Sequence, residues 1–392
     1  MRLRIAGFIQ IVKREIDIVS KDFDLIVMLL LAPIFYSLLY ASFYIYKTET
    51  NVPIAVLDLD QTVISQKFIT DLDSHQLLNV TERLSDFGDT KDRLYSDKVQ
   101  GVIIIPNKFE ASLKAGKDTE IKLYLNTQRF LPSNDINKAV NEIVLDYSAQ
   151  ARLKAFELKG INANQAKQII EPLKDDIKFI SNPSATYGDF LIPAILVLII
   201  QQTLFMGLGE SIAKERELGT LRDWYAAANQ STAAALTGKG LLYMLIYFCY
   251  AIFFFIIDFA MFKINFTGSH ILLFTVTILF LISIISLSIF AASFFKRKIL
   301  ALQVISFTSY PIFFLTGYSW PSFVMPKYIQ WISQLIPIAP FLDIFNRIIY
   351  LGANFSEVKP ALIHLFILTV FGLSVTYFRM KVIFRKKSVQ LN

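Results

Sequence analysis

Glu210-Ser-Ile-Ala-Lys-Glu-Arg-Glu-Leu-Gly-Thr-Leu-Arg-Asp-Trp-Tyr225 is a charged stretch set between two apolar runs, Phe190 to Gly209 and Leu236 to Phe262. Runs of that length cross a bilayer, which takes about 20 apolar residues of helix, so the charged stretch must lie on one membrane face. Its Lys and Arg assign that face to the cytoplasm. Read as one helix over 210–225, it gathers Leu218, Leu221, Trp224 and Tyr225 into an apolar stripe, with Glu215, Arg216, Glu217 and Arg222 around the remainder. Such a stripe needs a cover, either the headgroup region or a partner surface.

Composition points to the same solvent. Hydrophobic residues make up 54% of the 392, with 35 Phe and a mean hydropathy of +0.48, too apolar for a soluble chain of this length. The net charge of +7 does not point to nucleic acid, because Lys and Arg flank the apolar runs as orientation signals do, with no basic groove interleaved with stacking aromatics. The single cysteine, Cys249, sits in an apolar run and allows no intrachain disulfide, and three scattered His suggest no metal site.

Working outward, residues 1–22 carry Arg2, Arg4, Lys13, Arg14 and Lys21 among Ile5, Phe8, Ile9, Val12, Ile16 and Val19 at three- and four-residue spacing. That pattern predicts an amphipathic helix on the cytoplasmic membrane face. Residues 23–46 contain a first span, from about Leu25 to Tyr46. Its length, the acids in its leader and the lack of a small-x-small cleavage site read as a retained anchor rather than a signal peptide. Residues 47–186 have the composition of a soluble domain, which the basic leader places outside. Their pattern predicts strands at Val52–Leu57, Val99–Ile105 and Ile121–Leu125, helices from Thr62 and over Lys108–Lys114, and one long helical stretch from Ser133 toward Ile180: a small α/β domain on a helical stalk.

Residues 187–378 hold spans two to six. The second carries Gln201, Gln202 and Thr203 at mid-membrane, where amides either bridge helices or line a polar path. Gln303 and Ser306 of the fifth span, Ile299 to about Leu315, are further candidates for such a path. The third span starts at Lys239, at the cytoplasmic side, and carries Asp258 near its outer end, close to water. A short loop, Lys263 to His270, leads to the fourth span, where Ser283, Ser286 and Ser293 let helices approach closely. Lys296-Arg297-Lys298 then marks the inside again. Residues 317–350, with Gly317, Pro321, Pro326 and Pro337, are too broken by proline to cross as one helix and predict re-entrant helices on the outer face. Tyr318, Trp320, Tyr328 and Trp331 suit that boundary. The sixth span runs from Pro360 to about Phe378, with His364 packed or hydrated near its outer end, and 379–392 form a basic cytoplasmic tail. Every Lys/Arg cluster beside a span then falls on one face, giving six crossings with both termini inside.

Lys214-Glu215-Arg216-Glu217-Leu218-Gly219-Thr220-Leu221 resembles the "KEKE-x-GTL" segment after the second span of ABC-2-type permeases, the membrane subunits of ATP-driven exporters. In that family the segment is a coupling helix that docks on a separate nucleotide-binding subunit. The resemblance implies Lys214, Glu215, Glu217, Gly219, Thr220, Leu221 and Trp224 as coupling residues, although Trp224-Tyr225-Ala226 stands where the family usually has a Thr-Pro pair. The strand ending at Asp58-Leu-Asp60, the run Gly101–Phe109, and the Gly, Met-Pro and Pro-x-x-Pro-like features before Arg347 are similar to the same family. The resemblance thus covers nearly the full chain.

It implies an α-helical polytopic membrane protein, with six transmembrane helices plus an extracytoplasmic α/β domain on a helical stalk, in a bacterial inner membrane. Such a permease exports a hydrophobic or amphipathic substrate, drug-like or lipid, and is not itself an enzyme. The chain has no G-x-x-x-x-G-K-[S/T] loop, so no cofactor is expected on it; ATP and Mg2+ belong to a cytoplasmic ATPase subunit. A second permease, identical or not, membrane lipids and a periplasmic adaptor are the other expected partners. A rival resemblance lies in Ile54-Ala-Val-Leu-Asp58-Leu-Asp60-Gln-Thr62, which matches the Asp-x-Asp-x-Thr opening of haloacid-dehalogenase-type phosphatases. It implies Asp58 as nucleophile and Asp60 as general acid with magnesium. The alternative for both residues is a cap on the helix beginning near Thr62.

Overall fold

The computed structural model of the chain describes residues 2–44, 49–170 and 186–389. They fall into two compact units, Met1–Lys47 with Phe179–Asn392, and Thr48–Lys178. Six helices of the first unit are long and apolar enough to cross a membrane: Phe23–Tyr40, Tyr187–Glu217, Thr232–Met261, His270–Ala292, Lys298–Leu315 and Phe355–Lys386. These are spans 1 to 6 below, and they make the chain a multi-pass membrane protein.

The N-terminal helix, Arg2–Lys21, buries Ile11, Glu15 and Val19 at four-residue spacing and lays that face on the start of span 3. Gly238 permits the approach, since a Cβ there would stand 2.9 Å from Ile11 Cβ. Asp22, extended at φ −110, turns the chain into span 1. Spans 1 and 3 each contain a π turn, at Val27–Leu31 and Phe253–Asp258. A π turn loosens the backbone ladder, and Tyr250 of span 3 donates its hydroxyl to the Leu30 carbonyl at 2.8 Å. Leu29 seats over Gly207 of span 2, where a Cβ would come within 3.0 Å of Leu29 Cγ.

Span 4 packs against spans 2, 3 and 6 through small hydroxyl residues, which let helices close up in lipid. Ser288 donates to the Phe205 carbonyl at 3.1 Å and Thr376 of span 6 to the Ser286 carbonyl at 2.8 Å. Ser283, Ser286 and Ser293 are all buried in these contacts.

After span 5 the chain turns at Gly317, φ +82, passes a short 3-10 turn at Ser322–Val324 preceded by Pro321, and forms an elbow. Its arms, Lys327–Gln334 and Ile338–Leu351, meet at 83°. Pro326 and Pro337 cap the two arms, positions where a missing N–H costs no helical bond. The last helix runs unbroken over Phe355–Val389, so the basic tail expected from residue 379 continues the helix of span 6. Arg379, Lys381, Arg385 and Lys386 are good helix formers and carry it on.

The second unit holds a four-stranded sheet of β1 (Val52–Asp58), β2 (Leu78–Leu84), β3 (Gly101–Ile105) and β4 (Lys122–Leu125), in the order β2-β1-β3-β4. β1 pairs in parallel with β2 and β3, and β4 closes the edge antiparallel to β3. The central strands read as continuous apolar runs because both faces are covered. Ile54, Val56, Ile103 and Ile105 lie under the helices Val63–Ser74 and Phe130–Leu158, and Ala55, Leu57, Val102 and Ile104 pack on the other side with Leu84 and Val99. The expected stalk is not one helix: Phe130–Leu158 stops near Gly160, φ +80, and Ala163–Ile170 follows. The stretch toward Ile180 beyond it lies outside the described residues.

Candidate coupling site

The charged stretch 210–225 is two helices rather than one. Residues 210–217 complete span 2, the chain turns at Leu218-Gly219-Thr220, and a short helix covers Leu221–Ala227. Gly219 sits at φ +75, where only glycine is free of strain. The turn splits the expected apolar stripe. Leu218 is 64% exposed, whereas Leu221 and Trp224 are buried inside the chain. Trp224 donates Nε1–H to the Ala235 carbonyl at 3.3 Å and meets the Phe384 ring edge-on at 5.1 Å. Tyr225 stacks on the same ring at 4.7 Å. The cover for the stripe is therefore this chain's own span 6 helix and span 3 start, the ordinary fate of a large indole.

Behind the turn lies a buried charge cluster. Arg14 donates two bonds to Glu215, at 2.5 and 2.8 Å. Lys239 Nζ is 2.7 Å from Glu15 Oε1, 3.6 Å from Glu215 Oε1, and 5.0 Å above the Trp224 ring, whose negative face attracts it. The Thr220 hydroxyl donates to Glu215. Lys239 and Glu15 have no exposed side-chain area, so the lysine expected at the cytoplasmic start of span 3 is enclosed. Two cations and two carboxylates balance, which is the condition for burying charge at tolerable cost. Burial opposes the charge on Arg14, and the Glu215 and Glu15 carboxylates more than offset it, holding the guanidinium above its ordinary value.

A second set of contacts ties the same helix end to its neighbours. Lys214 pairs with Asp22; Lys298 Nζ binds Asp24 at 2.8 Å and lies 3.6 Å from Glu210. The Lys298 N–H donates to Glu217 at 2.8 Å, and Arg216 donates to the Ser293 carbonyl. Of the residues singled out from the sequence, Lys214, Glu215, Thr220, Leu221 and Trp224 engage the chain itself. Glu217, although it accepts the Lys298 N–H, and Gly219 stay exposed, with Leu218, Arg222 and Asp223. Sequence spacing misses Arg14, Glu15 and Lys239, since each reads as an orientation charge.

The four path candidates differ in burial. Gln201 is buried, with no hydrogen-bond donor to its Oε1 among the described residues, and Gln202 is half-buried, while Gln303 and Ser306 sit on the exposed side of span 5. Asp258 is enclosed rather than near water, beside Ser37 of span 1, at the end of the π turn Phe253–Asp258.

In the second unit, Asp58 Oδ1 accepts from the Asp60 and Gln61 N–H groups, each at 3.0 Å. Its Oδ2 accepts from the Ser65 hydroxyl at 2.7 Å and the Gln66 amide at 2.9 Å. Asp60 Oδ2 accepts from the Thr62 hydroxyl at 2.7 Å and the Glu110 N–H at 2.9 Å. Thr62 and Ser65 close a reciprocal capping box. Both carboxylates thus serve as acceptors at helix starts.

Known proteins are similar to this chain in sequence. The linearmycin resistance permease protein LnrN of Bacillus subtilis (strain 168) is 20% identical over 373 residues, 88% of this chain and 91% of that protein. The probable multidrug ABC transporter permease YbhR of Escherichia coli (strain K12) is 25% identical over 251 residues, 62% of this chain and 68% of that protein. The family model described as ABC-2 family transporter protein matches residues 23–378. With that match running from span 1 into span 6, the chain belongs to the ABC-2 transporter family and is an ABC transporter permease.

Proposed function

We propose that the chain is the membrane half of an ATP-driven exporter, in which the turn Glu217–Asp223 receives a separate ATPase subunit and passes its motion to spans 1, 2 and 3. The observation that carries this reading is the neutral buried cluster of Arg14, Glu15, Glu215 and Lys239. It joins the turn, the N-terminal helix and the start of span 3 into one piece, so a push on the exposed Leu218–Gly219 corner is not dissipated in a loose loop. Family membership implies a paired permease and a partner ATPase. ATP and magnesium sit on that partner, and both termini, with every large charge cluster beside a span, face the cytoplasm of a bacterial inner membrane.

The cargo is an apolar or amphipathic compound leaving the cytoplasm or inner leaflet. The relatives named for linearmycin resistance and multidrug transport support that class. Residues 48–178 then stand on the outer side, where a periplasmic adaptor is a candidate partner. A pull-down of the solubilised chain tests the reading. Wild type brings down an ATPase subunit, and a Leu218→Glu, Arg222→Glu variant, changed only at exposed positions of the turn and the helix after it, with an unchanged melting profile does not. Equal capture by both, or by neither, sinks it.

A further inference from the structure

The elbow arm Ile338–Leu351 is apolar over most of its surface, with Phe341, Leu342, Ile344, Phe345, Ile348 and Ile349 buried. Along one line it is polar: Asp343, Asn346, Arg347 and Tyr350 follow at three- and four-residue spacing. Tyr350 donates its hydroxyl to the Asp189 carbonyl; the rest of such a line is favourable on a helix packed among membrane spans only where its members meet one another, water or a ligand.

The line faces two adjoining cavities of about 410 and 430 Å³, which share Tyr318, Asp343 and Asn346. The first is walled by Ser333 and Gln334 of the other arm and by Ala361 and His364 of span 6. The second is walled by Phe190 and Leu351, and Phe190 stacks on Tyr318 at 4.8 Å. Each chamber is of small-molecule size.

Two observations give the chemistry. Arg347 Nε donates to both Asp343 oxygens, at 3.0 and 3.1 Å, so these two charges cancel and neither an anion nor a cation is favoured. Asn346 lines both cavities, and its Oδ1 is buried and accepts no hydrogen bond among the described residues. An enclosed amide oxygen without a donor is costly, and it is satisfied by a ligand that brings one.

We propose that this cleft binds an uncharged amphiphile whose polar end carries hydroxyl donors, one of them donating to Asn346 Oδ1. The apolar part lies along Phe190, Tyr318 and Leu351. Binding here involves a single permease unit and needs neither ATP nor a partner, so it succeeds or fails separately from the exporter reading.

The experiment uses the full chain in lipid nanodiscs and an octyl glucoside bearing a diazirine in its alkyl chain. Labelling is expected to saturate and to map to peptides containing Tyr318 and Asn346. Unlabelled octyl glucoside competes, and octyl sulfate at the same concentration does not. Asn346→Leu weakens the competition constant about tenfold or more, the usual result when a designed polar contact is lost. Ala361→Trp, which fills the first chamber from the span 6 side, does the same and decides the matter if Asn346→Leu fails to fold. Labelling spread without saturation over the lipid-facing spans, equal competition by octyl sulfate, or an unchanged constant in a folded variant overturns the assignment.

Discussion

Replacing Lys239 by methionine tests how the candidate coupling corner is held. Methionine keeps most of the side-chain volume and removes the ammonium. At an effective dielectric of about 20, contacts of 2.7 Å to Glu15 and 3.6 Å to Glu215 amount to about 6 and about 5 kcal/mol of gross attraction. Desolvation of the ions offsets much of this, and removing one partner of such a buried group costs about 3–5 kcal/mol net. Lys239→Met leaves Arg14 facing two carboxylates, one of which already has an oxygen without a donor. Glu15→Gln in the same chain restores neutrality with Arg14 and Glu215. The double variant should therefore be more stable than Lys239→Met alone, by about 1.5 kcal/mol or more. Chemical denaturation in nanodiscs gives the stabilities, and ATPase activity of the reconstituted complex gives the function. A single variant that loses under 1 kcal/mol, or losses that simply add, would mean that the cluster is not a coupled unit.

Three further outcomes follow from single positions. Gly219→Val adds no clash, since nothing lies within 4 Å of the new Cβ, and loses about 1–2 kcal/mol from the left-handed backbone alone; Gly219→Asn should lose clearly less, and urea titration of the pair separates strain from contact. Gly268→Ala drives a Cβ against the Ile348 carbonyl and to 2.8 Å from Ile348 Cγ2, where the Thr267 N–H and hydroxyl both bind the Ile349 carbonyl. It should destabilise by about 1–3 kcal/mol and speed protease cleavage at the elbow; unchanged digestion would contradict the close fit. Asp60→Ala removes a cap acceptor and costs about 1 kcal/mol at neutral pH. Burial pushes the Asp60 carboxyl up, but the Glu110 N–H and the Thr62 hydroxyl outweigh it and hold the group below its ordinary value. Its contribution is thus full above about pH 4 and vanishes as pH falls through the lowered folded value, so wild-type and variant melting curves should converge in strong acid and not before.

Much of the membrane unit could be read in advance because span-length apolar runs leave few choices. Gly317 and the prolines at 321, 326 and 337 announced an interrupted segment, and they stand at its turn and caps. β1 and β3 were visible as unbroken apolar runs. β2, Leu78-Asn-Val-Thr-Glu-Arg-Leu84, was not: only its two ends are buried, and its middle presents polar side chains that read as loop. The coupling corner was visible only in part. Its exposed tip follows from Gly219, but its anchor joins residues 201 and 224 positions apart. No local period encodes that distance. The burial of Lys239 was not legible for the same reason, since a lysine beside an apolar run looks the same whether it snorkels to water or closes a buried pair.

The separation between Glu15 and Lys239 also has a consequence for biogenesis. A ribosome adding about 5–20 residues per second needs roughly 10–45 s to cover 224 positions. Throughout that interval the first helix has been made and its permanent neighbour has not. Ile9 and Ile16, which remain exposed in the finished fold, give it a provisional berth at the lipid surface with Glu15 still in water. In the finished fold the partner at 2.7 Å from this carboxylate is the span 3 ammonium, so full seating of the N-terminal helix waits on the third crossing and on its direction.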